Sequence, residues 1–258
     1  NCKTLDPACG SGAFTMGMLD KLVHILKQLD NKDEHWKKLV KENTKKALDS
    51  EDNNLKDIQE AFNLDLNYPD YARKLYLIEN TIYGIDIQPI AIQIAKLRCF
   101  ISLLVSQKFD KTNVTEKNMY KNFGIRPLPN LETNFVSADS LIKIEKDQAQ
   151  QELFSKLIAN TRTELLDIRH KLFRAKTQIT KENHRSKLKD KYLEFIEKLK
   201  DYNIIPIKEL EILKSWEMFD YSKSAPFFDS LLMLGVENFN IVIGNPPYAR
   251  LRKNQAQS

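Results

Sequence analysis

The tetrapeptide Asn245-Pro246-Pro247-Tyr248 is difficult to explain as packing alone. An exocyclic amine on a nucleobase is a poor nucleophile, because its lone pair is delocalised into the ring. The Asn245 side-chain oxygen and the Pro246 carbonyl could accept its two N–H bonds and favour the geometry needed for attack. The prolines fix their φ angles near about −65°, and Tyr248 offers a flat face for stacking on a base. The alternative interpretation is a Pro-Pro turn that closes a strand under a half-buried tyrosine.

A short apolar strand is predicted just before this tetrapeptide. Ile241, Val242 and Ile243 form a β-branched run of the kind found in parallel strands that are covered on both faces. Gly244 ends the run where the chain must turn. Since open α/β sheets bind ligands in the loops that follow such strands, the tetrapeptide is expected to lie in a ligand-binding loop.

A glycine turn near the start of the sequence predicts a second ligand-binding loop. The first six residues have the pattern of a strand that ends at Asp6, and the apolar spacing from residue 13 to about 29 predicts a helix. Between them, Gly10 and Gly12 would let the backbone approach a ligand closely. Asp6 at the strand tip could accept a hydrogen bond from a cationic group such as an α-ammonium.

Two further strands are predicted to end in carboxylates. The strand over residues 81–86 ends in Asp86, where such folds hold the ribose hydroxyls of an adenosine, and a helix should run from Pro89 to about residue 105. The third strand, over residues 131–138, is followed by Asp139, which is suited to a hydrogen bond with an adenine amino group. The alternative for Asp139 is a helix cap.

Two helical insertions are needed to bring these strands together. Asp86 lies far beyond the roughly 20 residues that usually separate a glycine turn from the ribose carboxylate, so residues 28–78 are predicted to form an insertion. Residues 145–217 are predicted to form another insertion, a hairpin broken near residues 180–185. Its excess of basic residues suits either a positive arm along a phosphate backbone or a solvated helical spacer.

The composition indicates one large α/β domain. The 258 residues are 42% hydrophobic and 29% charged, and the net charge of +5 permits a polyanionic partner without indicating one. The sequence contains neither a long apolar run nor a basic-then-apolar start, so we expect no membrane span and no signal peptide. The three scattered cysteines, Cys2, Cys9 and Cys99, favour a reducing cytoplasm and support neither disulfides nor a zinc site.

The motifs together resemble those of a known enzyme family. Residues 6–14, Asp-Pro-Ala-Cys-Gly-Ser-Gly-Ala-Phe, resemble the methyl-donor motif of N6-adenine DNA methyltransferases, and residues 245–248 resemble their catalytic motif. Residues 82–91, 96–98 and 128–131 further resemble fused restriction-and-modification enzymes of type IIG. Glutamine and ribosomal-RNA methyltransferases share the catalytic tetrapeptide but usually carry a different donor loop, which favours the DNA enzymes.

The resemblance implies an α/β fold with a Rossmann-like sheet of order 3-2-1-4, S-adenosylmethionine as cofactor, and double-stranded DNA with a flipped adenine as partner. The implied reaction is methyl transfer to the adenine N6 amino group within a restriction-modification system. The implied cofactor-binding residues are Asp6, Ala8, Gly10, Gly12, Phe14, Asp86, Ile87 and Asp139. The implied catalytic residues are Asn245, Pro246, Pro247 and Tyr248.

Residues 1–258 are expected to be part of a longer methyltransferase, because the sequence opens inside a strand and stops ten residues past Tyr248. Target-recognition and nuclease domains would then lie elsewhere on the same polypeptide; no Glu-x-Lys nuclease signature occurs in the sequence. The isolated chain is expected to be inactive. Two alternatives remain open: a methyltransferase acting on RNA or protein glutamine, and a non-catalytic scaffold that binds the donor or DNA.

Overall fold

The structure, a computed structural model, describes residues 2–48, 69–107, 128–144, 151–175 and 177–246. Its strands are β1 Thr4–Asp6, β2 Ile82–Asp86, β3 Phe135–Ser137 and β4 Ile241–Val242. Its α-helices are α1 Ala13–Leu29, α2 Glu34–Leu48, α3 Pro69–Asn80, α4 Pro89–Val105, α5 Gln151–Arg174, α6 Gln178–Asp201, α7 Ile207–Ser215 and α8 Ser230–Leu234.

The four strands form one parallel sheet in the order β3-β2-β1-β4. Leu5 is aligned with Tyr83 on one side and with Val242 on the other, and Asp86 is aligned with Ser137. This order confirms the predicted Rossmann-like fold. Because all four strands run the same way, the loops after them lie at one edge of the sheet.

Helices cover the sheet on both faces, as the doubly wound class requires. On one face, buried residues of α1, α3 and α4 pack against the sheet around Phe135; they include Leu19, Ile78, Ile92 and Ala95. On the other face, α6, α7 and α8 pack around Ile85 through Phe195, Ile196, Leu213 and Leu232. The central strand β2 is therefore buried from both sides.

The second insertion contains the expected hairpin, but the hairpin turns earlier than the sequence predicts. Helices α5 and α6, of 24 residues each, pack through Leu165, Leu172 and Leu188. The expected break near residues 180–185 is wrong, because α6 already begins at Gln178. Thr177 is its N-cap, and its side chain accepts a hydrogen bond from the Thr180 backbone N–H at 3.2 Å.

The third strand is shorter than the sequence predicts. Residues Leu131–Thr133 form a 3-10 turn instead of extending β3. The cause is Asn134, whose buried side-chain amide donates to the carbonyl of Ile78 at 2.9 Å and fastens the turn to the end of α3. Only the three residues of β3 are left to pair with β2.

The fourth strand lies at the edge of the sheet, so the expectation that it is covered on both faces is wrong. Ile241 and Val242 remain 44% and 61% exposed. Their only described strand partner is β1, so an apolar edge is left open as the predicted strand order requires. Within the described part of the chain, none of the helices is both long enough and apolar enough to cross a membrane.

Candidate active site

The loop after β1 has the backbone geometry of a ligand-binding turn. Gly10 and Gly12 have φ angles of +53° and +83°, in the left-handed region that favours glycine. A methyl group added at Gly12 would lie 3.0 Å from the Ala95 Cβ, so Gly12 lets the turn pack against α4. A methyl group at Gly10 would meet nothing within 4 Å, so the turn is open on that side.

Asp86 connects the glycine turn to the loop after β2. One carboxylate oxygen accepts from the Gly10 backbone N–H at 2.8 Å, and the other accepts from the Gln88 N–H at 2.8 Å. The predicted ribose-binding residue therefore also holds the turn in place. Each carboxylate oxygen has two lone pairs, so capacity remains for ligand hydroxyl groups.

The remaining predicted donor residues surround the same edge of the sheet. Phe14 and Ile87 are 43% and 58% exposed, which leaves two apolar surfaces available to a ligand. Asp139 follows β3, and its side chain accepts from the Leu141 backbone N–H at 3.0 Å. It thus closes a turn and does not cap an α-helix.

The loop after β4 begins beside the glycine turn. The Ile243 backbone N–H donates to the Leu5 carbonyl at 2.9 Å, which extends the pairing of β4 with β1 by one bond. Asn245 and Pro246 follow immediately and are exposed. Pro247 and Tyr248 lie outside the described residues.

Asp6 is the only one of the predicted donor carboxylates that is fully buried, with 1% of its surface exposed. Its side chain accepts from the Ala8 backbone N–H at 3.2 Å. Burial raises the pKa of this carboxyl group and repulsion from Asp86 adds to the rise, while the bond from Ala8 opposes it. The neighbouring Cys9 thiol is buried, which raises its pKa and suits a packing role.

Lys96 occurs in one of the motifs that resemble type IIG enzymes, but nothing in that motif predicts its environment. Lys96 is 7% exposed and lines a cavity of about 30 Å³ between α4 and residues 216–223. Its ammonium lies 4.7 Å from the centre of the Tyr221 ring. Burial lowers the pKa of Lys96 to about 8, against the attraction of Glu132. The cavity has room for one or two water molecules.

The hairpin carries many cations, several of which are paired with its own carboxylates. Lys191 contacts Glu164 at 2.7 Å and Glu194 at 2.9 Å, and Lys198 contacts Glu194 at 2.7 Å. Such pairing reduces the positive field along this part of the hairpin.

An open glycine turn, two strand-end carboxylates and an Asn-Pro loop at one edge of a parallel sheet are typical of a Rossmann-like methyltransferase domain. The chain belongs to the Eco57I restriction-modification methylase family, whose model matches residues 80–258. The match begins near β2 and includes β3, β4 and the Asn245 loop.

A curated relative has a description of the same kind. It is a protein of Methanocaldococcus jannaschii described as a "putative type II restriction enzyme and methyltransferase", 29% identical over 160 residues. The matched part is 62% of this chain and 10% of the relative, so the chain spans a small part of that protein. No solved structure gives a significant match. Among the described residues, no cluster of three or more His, Cys, Asp or Glu is placed to hold a metal ion.

Proposed function

We propose that the chain forms the catalytic core of a DNA methyltransferase that modifies the N6 amino group of adenine in a restriction-modification system. The observation that carries this proposal is the adjacency of β1 and β4, which brings the loop of Asn245 beside the glycine turn. Membership of the restriction-modification methylase family supports DNA as the substrate. The small share of the relative that is matched supports further domains on the same polypeptide.

S-adenosylmethionine fits the donor side of the site. The open side of Gly10 leaves room for a ligand to approach the backbone, and the exposed side chain of Ile87 offers an apolar surface for an adenine ring. Asp86 would hold the ribose hydroxyls and Asp139 the adenine amino group, while Ala8, Gly12 and Phe14 would border the methionine part. When bound, this cofactor supplies a methyl group that a sulfonium has already activated.

On the acceptor side, Asn245 and Pro246 would hold the target amine. The Asn245 side-chain oxygen and the Pro246 carbonyl accept its two N–H bonds, which orients the nitrogen lone pair towards the donor. Tyr248 would stack on the adenine after it leaves the duplex. The residues contribute alignment and exclusion of water, and no covalent enzyme intermediate is required.

Substitution of Asn245 in the full-length protein tests the assignment. Asn245→Ala removes one of the two acceptors, so we expect the kcat for methyl transfer to DNA to fall about 100-fold or more. The Kd for S-adenosylhomocysteine, measured by calorimetry, should stay within about threefold of the wild-type value, because Asn245 is not on the donor side. Unchanged transfer would contradict the catalytic assignment.

Asn183→Ala is a matched control, since Asn183 is an exposed residue of α6, away from the strand ends. It should leave both the kcat and the donor Kd unchanged. A loss of donor binding in Asn245→Ala equal to its loss of transfer would place Asn245 in the donor site instead.

A further inference from the structure

Asp6 is placed differently from a residue that receives a ligand. Its surface is 1% exposed, whereas Phe14 and Ile87 at the same edge of the sheet are 43% and 58% exposed. One oxygen of its carboxyl group, Oδ1, already accepts from the Ala8 backbone N–H. The side chain is therefore enclosed by the protein, and a donor ammonium would have to displace protein atoms to reach it.

Gly244, in the loop after β4, approaches the same carboxylate oxygen. A methyl group added to Gly244 would lie 2.5 Å from Asp6 Oδ1, 3.3 Å from its Cγ and 3.4 Å from the Pro7 Cδ. Real Cβ atoms essentially never approach another atom as closely as 2.5 Å, and Oδ1 belongs to a buried side chain that has little room to move. The backbone of the β4 loop is thus in direct contact with the Asp6 carboxyl group.

This contact joins the two halves of the site. Asp6 Oδ1 accepts a hydrogen bond from the N–H of Ala8, two residues before Gly10 in the glycine turn. The same oxygen lies against Gly244, the residue that immediately precedes Asn245. One carboxylate oxygen of Asp6 therefore contacts both the start of the glycine turn and the loop of Asn245. A shift of about 1 Å at this point would displace the target amine, which can cost about 100-fold in rate.

We propose that Asp6 is a positioning residue, whose side chain acts as the spacer that sets the distance between the glycine turn and Asn245. This inference rests on the proposed methyl transfer for its kinetic consequence. It assigns Asp6 a role in alignment between the two loops, in place of direct contact with the donor ammonium.

A double-mutant cycle in the full-length protein tests the contact. Gly244→Ala places a methyl group against Asp6, so we expect the kcat to fall about 100-fold while the Kd for S-adenosylhomocysteine changes less than about threefold. Asp6→Ala removes the atoms that the new methyl group would meet. In the Asp6→Ala background, Gly244→Ala should therefore cost less than about fivefold. Additive losses, or a Gly244→Ala protein with wild-type kcat, would overturn the proposal.

Gly17→Ala is the matched control for the glycine substitution. Gly17 lies within α1, and an added methyl group there would meet nothing within 4 Å. Its kcat and its donor Kd should both equal the wild-type values. A comparable loss in Gly17→Ala would show that the effect at position 244 is not specific to its contact with Asp6.

Asp6→Asn distinguishes a spacer role from a role as a charged ligand. Because it preserves the side-chain volume, it also provides a test that does not depend on the folding of the smaller Asp6→Ala variant. Asparagine keeps an oxygen for the Ala8 N–H, so a spacer role predicts that Asp6→Asn recovers most of the kcat that Asp6→Ala loses, without a rise of tenfold in the donor Kd. A rise of tenfold or more in the Kd for S-adenosylmethionine, with a smaller change for an analogue lacking the α-amino group, would establish direct ammonium binding and overturn the proposal.

The outcome remains distinguishable from failure of the proposed function. If the wild-type protein transferred no methyl group to DNA, the proposed function would fail. The same double-mutant cycle could still be measured, with the melting temperature Tm as its readout in place of kcat. Non-additive changes in Tm between positions 6 and 244 would then support the spacer contact, and additive changes would refute it.

Discussion

The strand-end carboxylates of this site accept hydrogen bonds from backbone N–H groups of the protein itself. Asp86 holds two backbone N–H groups, of Gly10 and Gln88, one on each oxygen. Asp139 holds one, the N–H of Leu141. The two residues were predicted from the same signal, a carboxylate at a strand end. The structure shows that they differ in how many of their acceptor atoms the fold itself requires.

This difference predicts different results for the two asparagine variants. Asp86→Asn keeps one acceptor oxygen and turns an amide NH₂ towards the second backbone N–H, so we expect a loss of about 1–2 kcal/mol in stability together with weaker donor binding. Asp139→Asn keeps the one oxygen that Leu141 needs, so its Tm should be unchanged while the Kd for S-adenosylmethionine rises. Thermal unfolding and calorimetry on the full-length protein measure both, and a larger fall in Tm for Asp139→Asn would contradict the account.

The sequence predicts single residues well where a local signal exists, and poorly where the partner is distant. Gly10 and Gly12 were identified because a tight turn between a strand and a helix needs positive φ angles. The contact between Asp6 and Gly244 joins residues at opposite ends of the chain. It depends on the adjacency of β1 and β4, so nothing local in the sequence indicates how closely the two approach.

At the scale of elements, the hairpin is held to the sheet domain by a buried acid. Glu79 at the end of α3 is 6% exposed, and its carboxylate accepts from Arg174 at 3.0 and 2.9 Å and contacts His170 at 3.1 Å. Burial alone would raise the pKa of Glu79, but the His170 and Arg174 interactions outweigh it and hold the pKa below 4.5. The hairpin is therefore joined to the end of α3, just before β2, through one charged carboxylate.

Glu79→Gln should loosen the hairpin in a pH-dependent way. A carboxylate whose folded pKa lies below its unfolded value stabilises the fold above the unfolded pKa, and this stabilisation disappears as the pH falls through the folded pKa. At pH 7 we expect the α5 amides to exchange faster in the variant, because the free energy of local opening falls by about 2 kcal/mol. The difference from wild type should shrink once the pH falls below the ordinary value of 4.5.

The control for this measurement is Glu211→Gln, since Glu211 is an exposed acid on α7. It should leave α5 exchange unchanged at both pH values. The contrary result is an opening free energy of α5 in Glu79→Gln that stays below the wild-type value by the same amount from pH 7 to pH 3, after correction for intrinsic exchange rates. That result would show that the charge of Glu79 does not hold the hairpin.

Some element boundaries follow from the sequence pattern, and others do not. The strands β1 and β2 and the helices α1 and α4 follow from apolar periodicity and from Pro89 at a helix start, and they form close to where the sequence predicts. The start of α6 depends on the N-cap at Thr177. The charged composition is uniform in this stretch, so the sequence pattern does not mark where the helix begins. The 3-10 turn before β3 depends on the Asn134 amide reaching the carbonyls of α3, a tertiary contact that periodicity does not report.

At the scale of the whole molecule, the parallel order β3-β2-β1-β4 gathers four loops from distant parts of the sequence at one edge. The two insertions lengthen the chain between those loops without changing the order of the strands. The family match over residues 80–258 covers three of the four strands. The glycine turn comes from outside the matched range, and the structure places it beside the matched Asn245 loop.

The most direct test of the central claim is to identify the methylated product. The full-length protein would be incubated with S-adenosylmethionine labelled in its methyl group and with DNA, RNA and protein acceptors in parallel. The labelled nucleosides or residues would then be identified by mass spectrometry. The account predicts label in DNA as N6-methyladenine, and loss of that label in Asn245→Ala. Label in N4-methylcytosine, in RNA or in glutamine, or no transfer to DNA at all, would contradict it.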